Sequence, residues 1–174
     1  MRQRIKISKP ILGREETEAV GRVFESGILA QAEKVRLFEE EFAKYIGVEH
    51  AVALANGTMA LDMALKALRL GPGDEVITSA FSFIASSNCV LYQGAKPIFS
   101  DIDPKSFNID ASDVAEKITA KTKAIIPVHL FGQPASMAAL REISEDHEIA
   151  LVEDAAQAHG AEYLSLIHIS EPTR

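Results

Sequence analysis

The stretch LVEDAAQAHG, residues 151–160, places chemically active side chains at the end of an apolar run. Two carboxylates, Glu153 and Asp154, follow the apolar residues, and Gln157 comes three positions after Asp154. A carboxylate at the mostly buried end of a strand needs a partner, because burying an unpaired charge costs free energy. Two interpretations stay open: Asp154 caps the next segment, or it faces a cation such as a protonated pyridine nitrogen. In the second case, Gln157 could hydrogen-bond a phenolic oxygen on the same ring.

The turn NGTMAL, residues 56–61, follows another apolar run and offers a second kind of chemistry. Gly57 lets the backbone approach a ligand closely, and Thr58 can cap the helix that starts there. Free N–H groups at a helix start, together with the helix dipole, favour a bound phosphate. The alternative is a helix cap with no ligand, and the Gly-Thr pair alone favours that alternative. The turn is not a Walker loop, and the chain contains no G-x-G-x-x-G motif.

Two aromatic rings, Phe81 and Phe83, follow a third apolar run in the segment SAFSF. One of them could lie flat on a planar ligand, where stacking is worth about 0.5–1.5 kcal/mol beyond area burial. The alternative, that both rings fill the core, is favoured when this segment is considered alone. His129 lies in a fourth apolar run, where a histidine is more often a satisfied core residue than a catalyst, so we leave it out of the predicted site.

These turns together offer the three contacts that pyridoxal 5′-phosphate requires. Gly57 and Thr58 would cradle its phosphate, a phenylalanine would cover its ring, and Asp154 would pair with its ring nitrogen. Each signal is weak alone, but their joint occurrence at successive strand ends predicts this cofactor.

Apolar runs that alternate with amphipathic segments position these turns. The predicted strands are HAVALA (50–55), EVITSA (75–80), KPIFSDID (96–103), KAIIPVHL (123–130) and IALVED (149–154). The predicted helices span residues 11–26, 33–47, 57–70, 82–94, 110–118 and 137–147. Continuous apolar strands that alternate with helices indicate an α/β fold of three layers, in which helices cover both faces of a mostly parallel sheet.

The bulk composition excludes several classes of partner. The 174 residues are 47% hydrophobic and 25% charged, which suits a globular domain with a real core. The net charge of −7, with no long basic cluster, argues against nucleic acid and anionic membranes as partners. A lone Cys89 excludes an internal disulfide, and no signal core or membrane-length apolar run is present, so we expect a cytoplasmic protein.

The last eleven residues, LSLIHISEPTR (164–174), carry an apolar patch with no following element to receive it. We interpret them as a non-native tail similar to translated sequencing-adapter read-through, the alternative being an edge strand. For the rest of the chain, we expect an N-terminal helical segment (1–47) that packs on a cofactor-binding large domain (48–163), which is incomplete.

Four runs carry a resemblance to a known family: VRLFEEEFAKYIGVEHAVALANGT, LGPGDEVITSAFSFIAS, KAIIPVHLFGQPA and VEDAAQAHGA. With these runs, the chain from about residue 5 to residue 161 resembles the DegT/DnrJ/StrS family of sugar aminotransferases. The resemblance implies the large domain of the aspartate-aminotransferase (type I) fold, truncated in this chain.

The resemblance also implies a role for each candidate site residue. Gly57 and Thr58 would hold the phosphate of pyridoxal 5′-phosphate, and Phe83 would stack on its ring. Asp154 would pair with the ring nitrogen, and Gln157 would approach the phenolic oxygen. Members of the family transfer an amino group, usually from glutamate, to a keto group on a nucleotide-linked sugar for polysaccharide or antibiotic biosynthesis. They are typically homodimers with active sites at the subunit interface.

The Schiff-base lysine of the family lies beyond the region of resemblance. We therefore expect the 174 residues alone to be inactive and a longer parent to be the enzyme. Relatives with histidine at the lysine position dehydrate keto-deoxysugars with pyridoxamine phosphate, and other relatives are regulators. Lysine there would support transfer, histidine would support dehydration, and neither would support a non-catalytic role. A plain α/β domain that binds another phosphate is a further alternative.

Overall fold

The computed structural model describes residues 10–163 and contains six helices and four strands in that range. The helices are α1 (Arg14–Ser26), α2 (Glu33–Ile46), α3 (Gly57–Ala67), α4 (Ala85–Tyr92), α5 (Ala111–Lys117) and α6 (Met137–Asp146). The strands are β1 (Glu75–Ser79), β2 (Lys96–Ser100), β3 (Thr122–Ile126) and β4 (Ala150–Leu151), and a short 3-10 turn spans Leu130–Gly132. All six predicted helices are present.

The four strands form one parallel sheet in the order β2-β1-β3-β4. All five residues of the inner strand β1 are buried, as expected for a strand with helices over both faces. The prediction of a parallel sheet is confirmed. Parallel strands bring their carboxyl ends to one edge, so the turns after β1, β3 and β4 lie at that edge.

Helices cover both faces of the sheet, which confirms the three-layer prediction. Neighbouring residues of β1 point to opposite faces, because side chains alternate along a strand. Val76 packs in one core cluster with Leu65 of α3. Ile77 packs in a second cluster with Val114 of α5 and Leu140 of α6. The sheet is therefore held between α3 and α4 on one side and α5 and α6 on the other.

The predicted strand over residues 50–55 is wrong. Residues 51–54 have no strand hydrogen bonding, and Val52 is 76% exposed. A strand needs a neighbouring strand to complete its hydrogen bonds, and none lies beside this segment within residues 10–163. A groove of about 1150 Å³ separates Val48 and Glu49 from β4, and the Ala53 N–H donates to the Glu39 carboxylate at 2.8 Å.

The N-terminal helices differ in how much they bury. No residue of α1 is buried, whereas α2 buries Ala43 and Ile46 and ends at Gly47, a left-handed cap with φ of 82° as its position predicts. The ring of Phe42 in α2 lies 6.5 Å from the ring of His159.

The domain division at residue 47 stays a prediction, and the interpretation of residues 164–174 as a non-native tail concerns residues outside the described range. Within residues 10–163, no helix is both long enough and apolar enough to cross a membrane.

Candidate cofactor site

Asp154 lies at the carboxyl edge of the sheet, where the backbone fixes its position. Its N–H donates to the Pro127 carbonyl at 2.9 Å, and its own carbonyl accepts the His129 N–H at 3.0 Å. These bonds form a parallel bridge between Val128 and Asp154. The hydrogen bonding of β4 to β3 therefore continues past Leu151, the last residue of the regular strand.

The Asp154 side chain is half-buried and has two protein donors. Its Oδ2 accepts the Ser86 hydroxyl at 3.3 Å, and its Oδ1 accepts the Ala156 N–H at 3.2 Å. The second contact is the local cap that one interpretation of the sequence expected. Among the described residues, no lysine, arginine or histidine forms an ion pair with this carboxylate. The carboxylate therefore retains accepting capacity for a cationic ligand.

The start of α3 leaves two backbone N–H groups free for a ligand. Asn56 is the N-cap: its Oδ1 accepts the Met59 N–H at 3.0 Å, and its carbonyl accepts the Ala60 N–H. The expectation that Thr58 caps the helix is therefore wrong, because the helix already begins at Gly57 and places Thr58 in its first turn. No hydrogen bond among the described residues uses the N–H of Gly57 or Thr58.

Gly57 has no packing reason to be glycine in the described structure. A Cβ on this residue would meet no atom within 4 Å, and its backbone is not in the left-handed region. A small residue beside two free N–H groups leaves open space where a phosphate oxygen can approach the backbone.

The rings of Phe81 and Phe83 do not fill the core, so that alternative from the sequence is wrong. Phe81 is 49% exposed and packs against Phe107 at a centroid distance of 6.2 Å. Phe83 is 70% exposed and contacts no other aromatic ring among residues 10–163. Phe83 lies three residues before Ser86, the hydroxyl donor to Asp154. Its free face makes it the better candidate to cover a planar ligand.

Gln157 has a defined orientation because its amide oxygen is already engaged. The Phe131 N–H donates to Gln157 Oε1 at 2.9 Å. The amide nitrogen of Gln157 is therefore left as a donor, which is the group needed for a phenolate oxygen.

His129 is fully buried, and both of its ring nitrogens are paired. Nδ1 accepts the Ala135 N–H at 3.0 Å, and Nε2 lies 3.0 Å from Glu153 Oε2. The sequence favoured a satisfied core histidine, and the ring is satisfied. No local pattern indicates that its partner is Glu153, the residue next to Asp154.

Hydrogen bonds connect some of the predicted site residues to neighbouring elements of the site, but not Gly57 and Thr58. Ser86 links Asp154 to the helix that follows Phe83, and the turn at Phe131 is bonded to Gln157. No hydrogen bond among the described residues joins Gly57 or Thr58 to these groups. The amide of Gln93, the residue after α4, donates to Asp62 of α3 at 2.6 Å.

Sequence reasoning missed Ser86 and Glu153 as parts of this site. Ser86 lies in a run of small polar residues with no distinguishing pattern, and the Glu153 carboxylate was noted only beside Asp154. Neither contact has a local signal, because each joins residues that are far apart in sequence.

Other chemistries find no support in the described range. No cluster of three or more metal-ligating side chains occurs among residues 10–163. The Cys89 thiol is buried, and burial raises its pKa to about 11, so it is a poor nucleophile near neutral pH.

Comparisons with known proteins place this geometry in a class. The chain is 30% identical to a solved GDP-4-keto-6-deoxymannose-3-dehydratase with a trapped PLP-glutamate geminal diamine, with a TM-score of 0.88 over 93% of this chain and 44% of that one. It is 43% identical over 143 residues to UDP-N-acetyl-3-dehydro-alpha-D-glucosamine 3-aminotransferase of Acidithiobacillus ferrooxidans (82% of this chain, 39% of that protein). It is 50% identical over 129 residues to a pleiotropic regulatory protein of Geobacillus stearothermophilus (74% and 35%).

The fold and these likenesses place the chain in the large domain of the type I aminotransferase fold. The chain belongs to the DegT/DnrJ/EryC1/StrS aminotransferase family, whose model matches residues 10–165. The chain spans less than half the length of these relatives.

Proposed function

We propose that these residues are the N-terminal part of a pyridoxal-phosphate-dependent aminotransferase that acts on a nucleotide-linked keto sugar, with glutamate as amino donor. The observation that carries the proposal is the Asp154 carboxylate, half-buried at the sheet edge without a cationic partner in the described chain. A protonated pyridine nitrogen would be a suitable cationic partner for this carboxylate.

The residues present fit the cofactor by the chemistry of their free groups. The N–H groups of Gly57 and Thr58 suit a phosphate at a helix start, and the exposed face of Phe83 suits a planar ring. The Gln157 amide nitrogen suits a phenolate oxygen, and the Asp154 carboxylate suits a ring nitrogen that carries a proton. Each group offers the charge or hydrogen-bonding sense that its part of the cofactor needs.

The bound cofactor supplies an electron sink and carries the amino group between the two substrates. Asp154 would hold the proton on the ring nitrogen, because a neighbouring negative charge favours the cationic form. Ser86 would fix one oxygen of that carboxylate. Phe83 would exclude water from one face of the ring.

The substrate class rests on the relatives. A relative that is 43% identical over 143 residues is an aminotransferase for a UDP-linked 3-dehydro sugar. We propose the same class of substrate for the longer parent, with glutamate as donor from the family resemblance. The catalytic lysine would lie outside these residues, so the 174-residue chain alone would not turn over.

We propose a homodimer for the longer parent. Three large apolar side chains beside the candidate site are at least 64% exposed: Phe83, Ile84 and Phe131. Exposed apolar clusters of this kind are typical of surfaces that bind another protein.

Dehydration and regulation are the second candidates. The likeness to a keto-deoxysugar dehydratase favours the first, and the likeness to a pleiotropic regulatory protein favours the second. An aminotransferase gives a sugar that has gained nitrogen, a dehydratase gives a sugar that has lost oxygen, and a regulator gives neither product.

The test uses the longer parent protein and needs no knowledge of the sugar. We expect the holoenzyme to convert glutamate to 2-oxoglutarate in a single turnover, about one equivalent per bound cofactor, as the amino group passes to pyridoxal phosphate and gives pyridoxamine phosphate. Asp154→Asn should abolish this half-reaction while the circular dichroism spectrum is retained. Asp146→Asn, at an exposed carboxylate on α6, is the matched control and should react as the wild type. A parent that binds no cofactor, or full turnover in Asp154→Asn, would overturn the proposal.

A further inference from the structure

A buried histidine–glutamate pair lies directly behind the candidate cofactor site. His129 is 0% exposed, and the Glu153 side chain is largely buried. Nδ1 of His129 accepts a backbone N–H, so the ring proton must be on Nε2, which therefore donates to the Glu153 carboxylate. The ring is neutral in this arrangement and its tautomer is fixed by its two partners.

The same histidine also holds the main chain of Asp154. The His129 N–H donates to the Asp154 carbonyl, and its ring binds the preceding side chain, Glu153. Two consecutive residues at the end of the strand are therefore attached to one residue of the neighbouring strand end. This attachment lies beyond Leu151, where the regular pairing of β4 stops.

On its other side, the histidine closes the turn that orients Gln157. Ala135, at the end of the turn, donates its N–H to Nδ1 of His129. Within the turn, Phe131 has a φ of 57°, which is strained for a residue with a side chain, and its N–H binds Gln157 Oε1. The position of this N–H, and with it the orientation of the Gln157 amide, depends on the closure of the turn.

Asn108 supports the turn independently of the histidine. Its Oδ1 accepts the Leu130 N–H at 2.9 Å, and its Nδ2 donates to the carbonyls of Gln133 and Pro134 at 3.0 and 3.1 Å. The turn therefore has a second buried anchor, so loss of the histidine contacts should displace it rather than unfold it.

We propose that His129 is a positioning residue of the cofactor site, acting through Glu153 on Asp154 and through the turn on Gln157. This inference rests on the proposed function, because it assigns the pair to a site for pyridoxal phosphate. Apolar side chains of similar volume stabilise a core as well as a buried polar pair does. We therefore assign the pair to the orientation of the Asp154 carboxylate at the strand end, and not to additional stability of the core.

The experiment compares substitutions that remove one ring contact at a time. His129→Asn keeps an acceptor near the Nδ1 position and loses the reach to Glu153, whereas His129→Gln keeps a donor near Nε2 and loses the Ala135 contact. Glu153→Gln keeps the size of that side chain and removes its charge. The matched control is Leu140→Ala, which removes a fully buried side chain of α6 but none of the hydrogen bonds of His129, Glu153 and Asp154.

Two properties of the longer parent are measured well below its melting temperature. The first is the dissociation constant for pyridoxamine 5′-phosphate, which forms no covalent bond with lysine. The second is the pH at which the bound ring nitrogen loses its proton, followed by the nitrogen-15 shift of labelled pyridoxamine 5′-phosphate. We expect His129→Asn to weaken binding about tenfold and to lower that pH, because the carboxylate loses its alignment with the ring. Leu140→Ala should lower the melting temperature and leave both properties unchanged.

The outcomes separate this inference from the function on which it rests. If His129→Asn and Glu153→Gln lower only the melting temperature, as Leu140→Ala does, the histidine is a core residue and the inference is wrong. If the wild type does not bind pyridoxamine 5′-phosphate, or Asp154→Asn binds it equally well, the proposed function itself is wrong. Should His129→Asn fail to fold, His129→Gln and Glu153→Gln carry the same comparison.

Discussion

The Ser86 hydroxyl lies 3.3 Å from Asp154 Oδ2, although the two residues are 68 positions apart in the chain. Ser86 is 2% exposed in the first turn of α4, and its oxygen also lies 3.2 Å from the Ser82 hydroxyl. The contact connects the helix that follows Phe83 to the strand end that carries the candidate ring partner. It restricts the rotation of the Asp154 carboxylate before any ligand arrives.

Ser86→Ala should weaken the binding of pyridoxamine 5′-phosphate by about fivefold, since a hydrogen bond to a charged group contributes of order 1 kcal/mol at this length. Fluorescence titration of the longer parent measures the change. Ser87→Ala is the matched control, because the Ser87 hydroxyl bonds the Ile84 carbonyl on the same helix and does not contact Asp154. Equal affinities in the two variants would show that the Ser86 contact does not position the carboxylate.

Asn56→Ala should lower the free energy of unfolding by about 1 kcal/mol, because it removes the side-chain acceptor for the Met59 N–H at the start of α3. Asn56→Asp keeps an acceptor at the same position and should retain most of the stability. Thr58→Ala, by contrast, should change little, since Thr58 is inside the helix. Urea denaturation of the three variants decides the point, and a larger loss in Thr58→Ala than in Asn56→Ala would restore Thr58 as the cap.

The helices and the layers were predictable because their signals are local. In α2, for example, apolar residues recur at helical spacing and Gly47 ends the helix, so the sequence alone specifies the element. The segment 50–55 has an equally apolar pattern, yet a strand forms only beside another strand. Its failure shows that apolar composition does not supply a hydrogen-bonding neighbour.

For the candidate site, the sequence indicates which side chains follow the strand ends, but it does not indicate which donors contact them. Asp154 and Gln157 follow a strand end that the sequence marks clearly, and the fold places both at the sheet edge. The donors that orient them, Ser86 and Phe131, come from other elements. Only the packing of α4 and of the turn after β3 determines which hydroxyl or N–H reaches each side chain.

Asp113 should contribute to stability in a pH-dependent way. Its Oδ2 accepts hydrogen bonds from Lys117 at 2.6 Å, the Asp101 N–H at 2.7 Å and the Ser100 hydroxyl at 2.8 Å. The Lys117 ammonium first, and then these two donors, hold the pKa of the carboxyl below its usual range, while desolvation opposes them. Because the folded pKa lies below the unfolded one, the stabilisation is complete above about pH 4 and is lost as the pH falls through the folded pKa.

The free energy of unfolding should therefore fall less steeply between about pH 5 and pH 2 in Asp113→Asn than in the wild type. At neutral pH the variant should be the less stable protein, and the difference should shrink in acid. Urea denaturation at a series of pH values measures both quantities, with Asp146→Asn as the control at an exposed carboxylate. Parallel curves for Asp113→Asn and the wild type would contradict the assignment.

Gly160 closes the loop that carries Gln157, and it should not tolerate a side chain. Its φ is 76°, in the left-handed region, and a Cβ would lie 2.5 Å from the Tyr45 hydroxyl of α2. Gly160→Ala should cost about 1–2 kcal/mol in backbone strain, plus the displacement of Tyr45. Gly21→Ala, inside α1 with open space around it, should instead leave stability unchanged or raise it.

The two costs at Gly160 can be separated, because only the clash involves Tyr45. In a double-mutant cycle, Tyr45→Ala should make Gly160→Ala less destabilising than it is in the wild type, while the strain at φ of 76° persists. Urea denaturation of the four proteins gives the coupling energy. Additivity within about 0.3 kcal/mol would mean that Tyr45, which is 55% exposed, moves aside at no cost and that strain alone excludes alanine from this position.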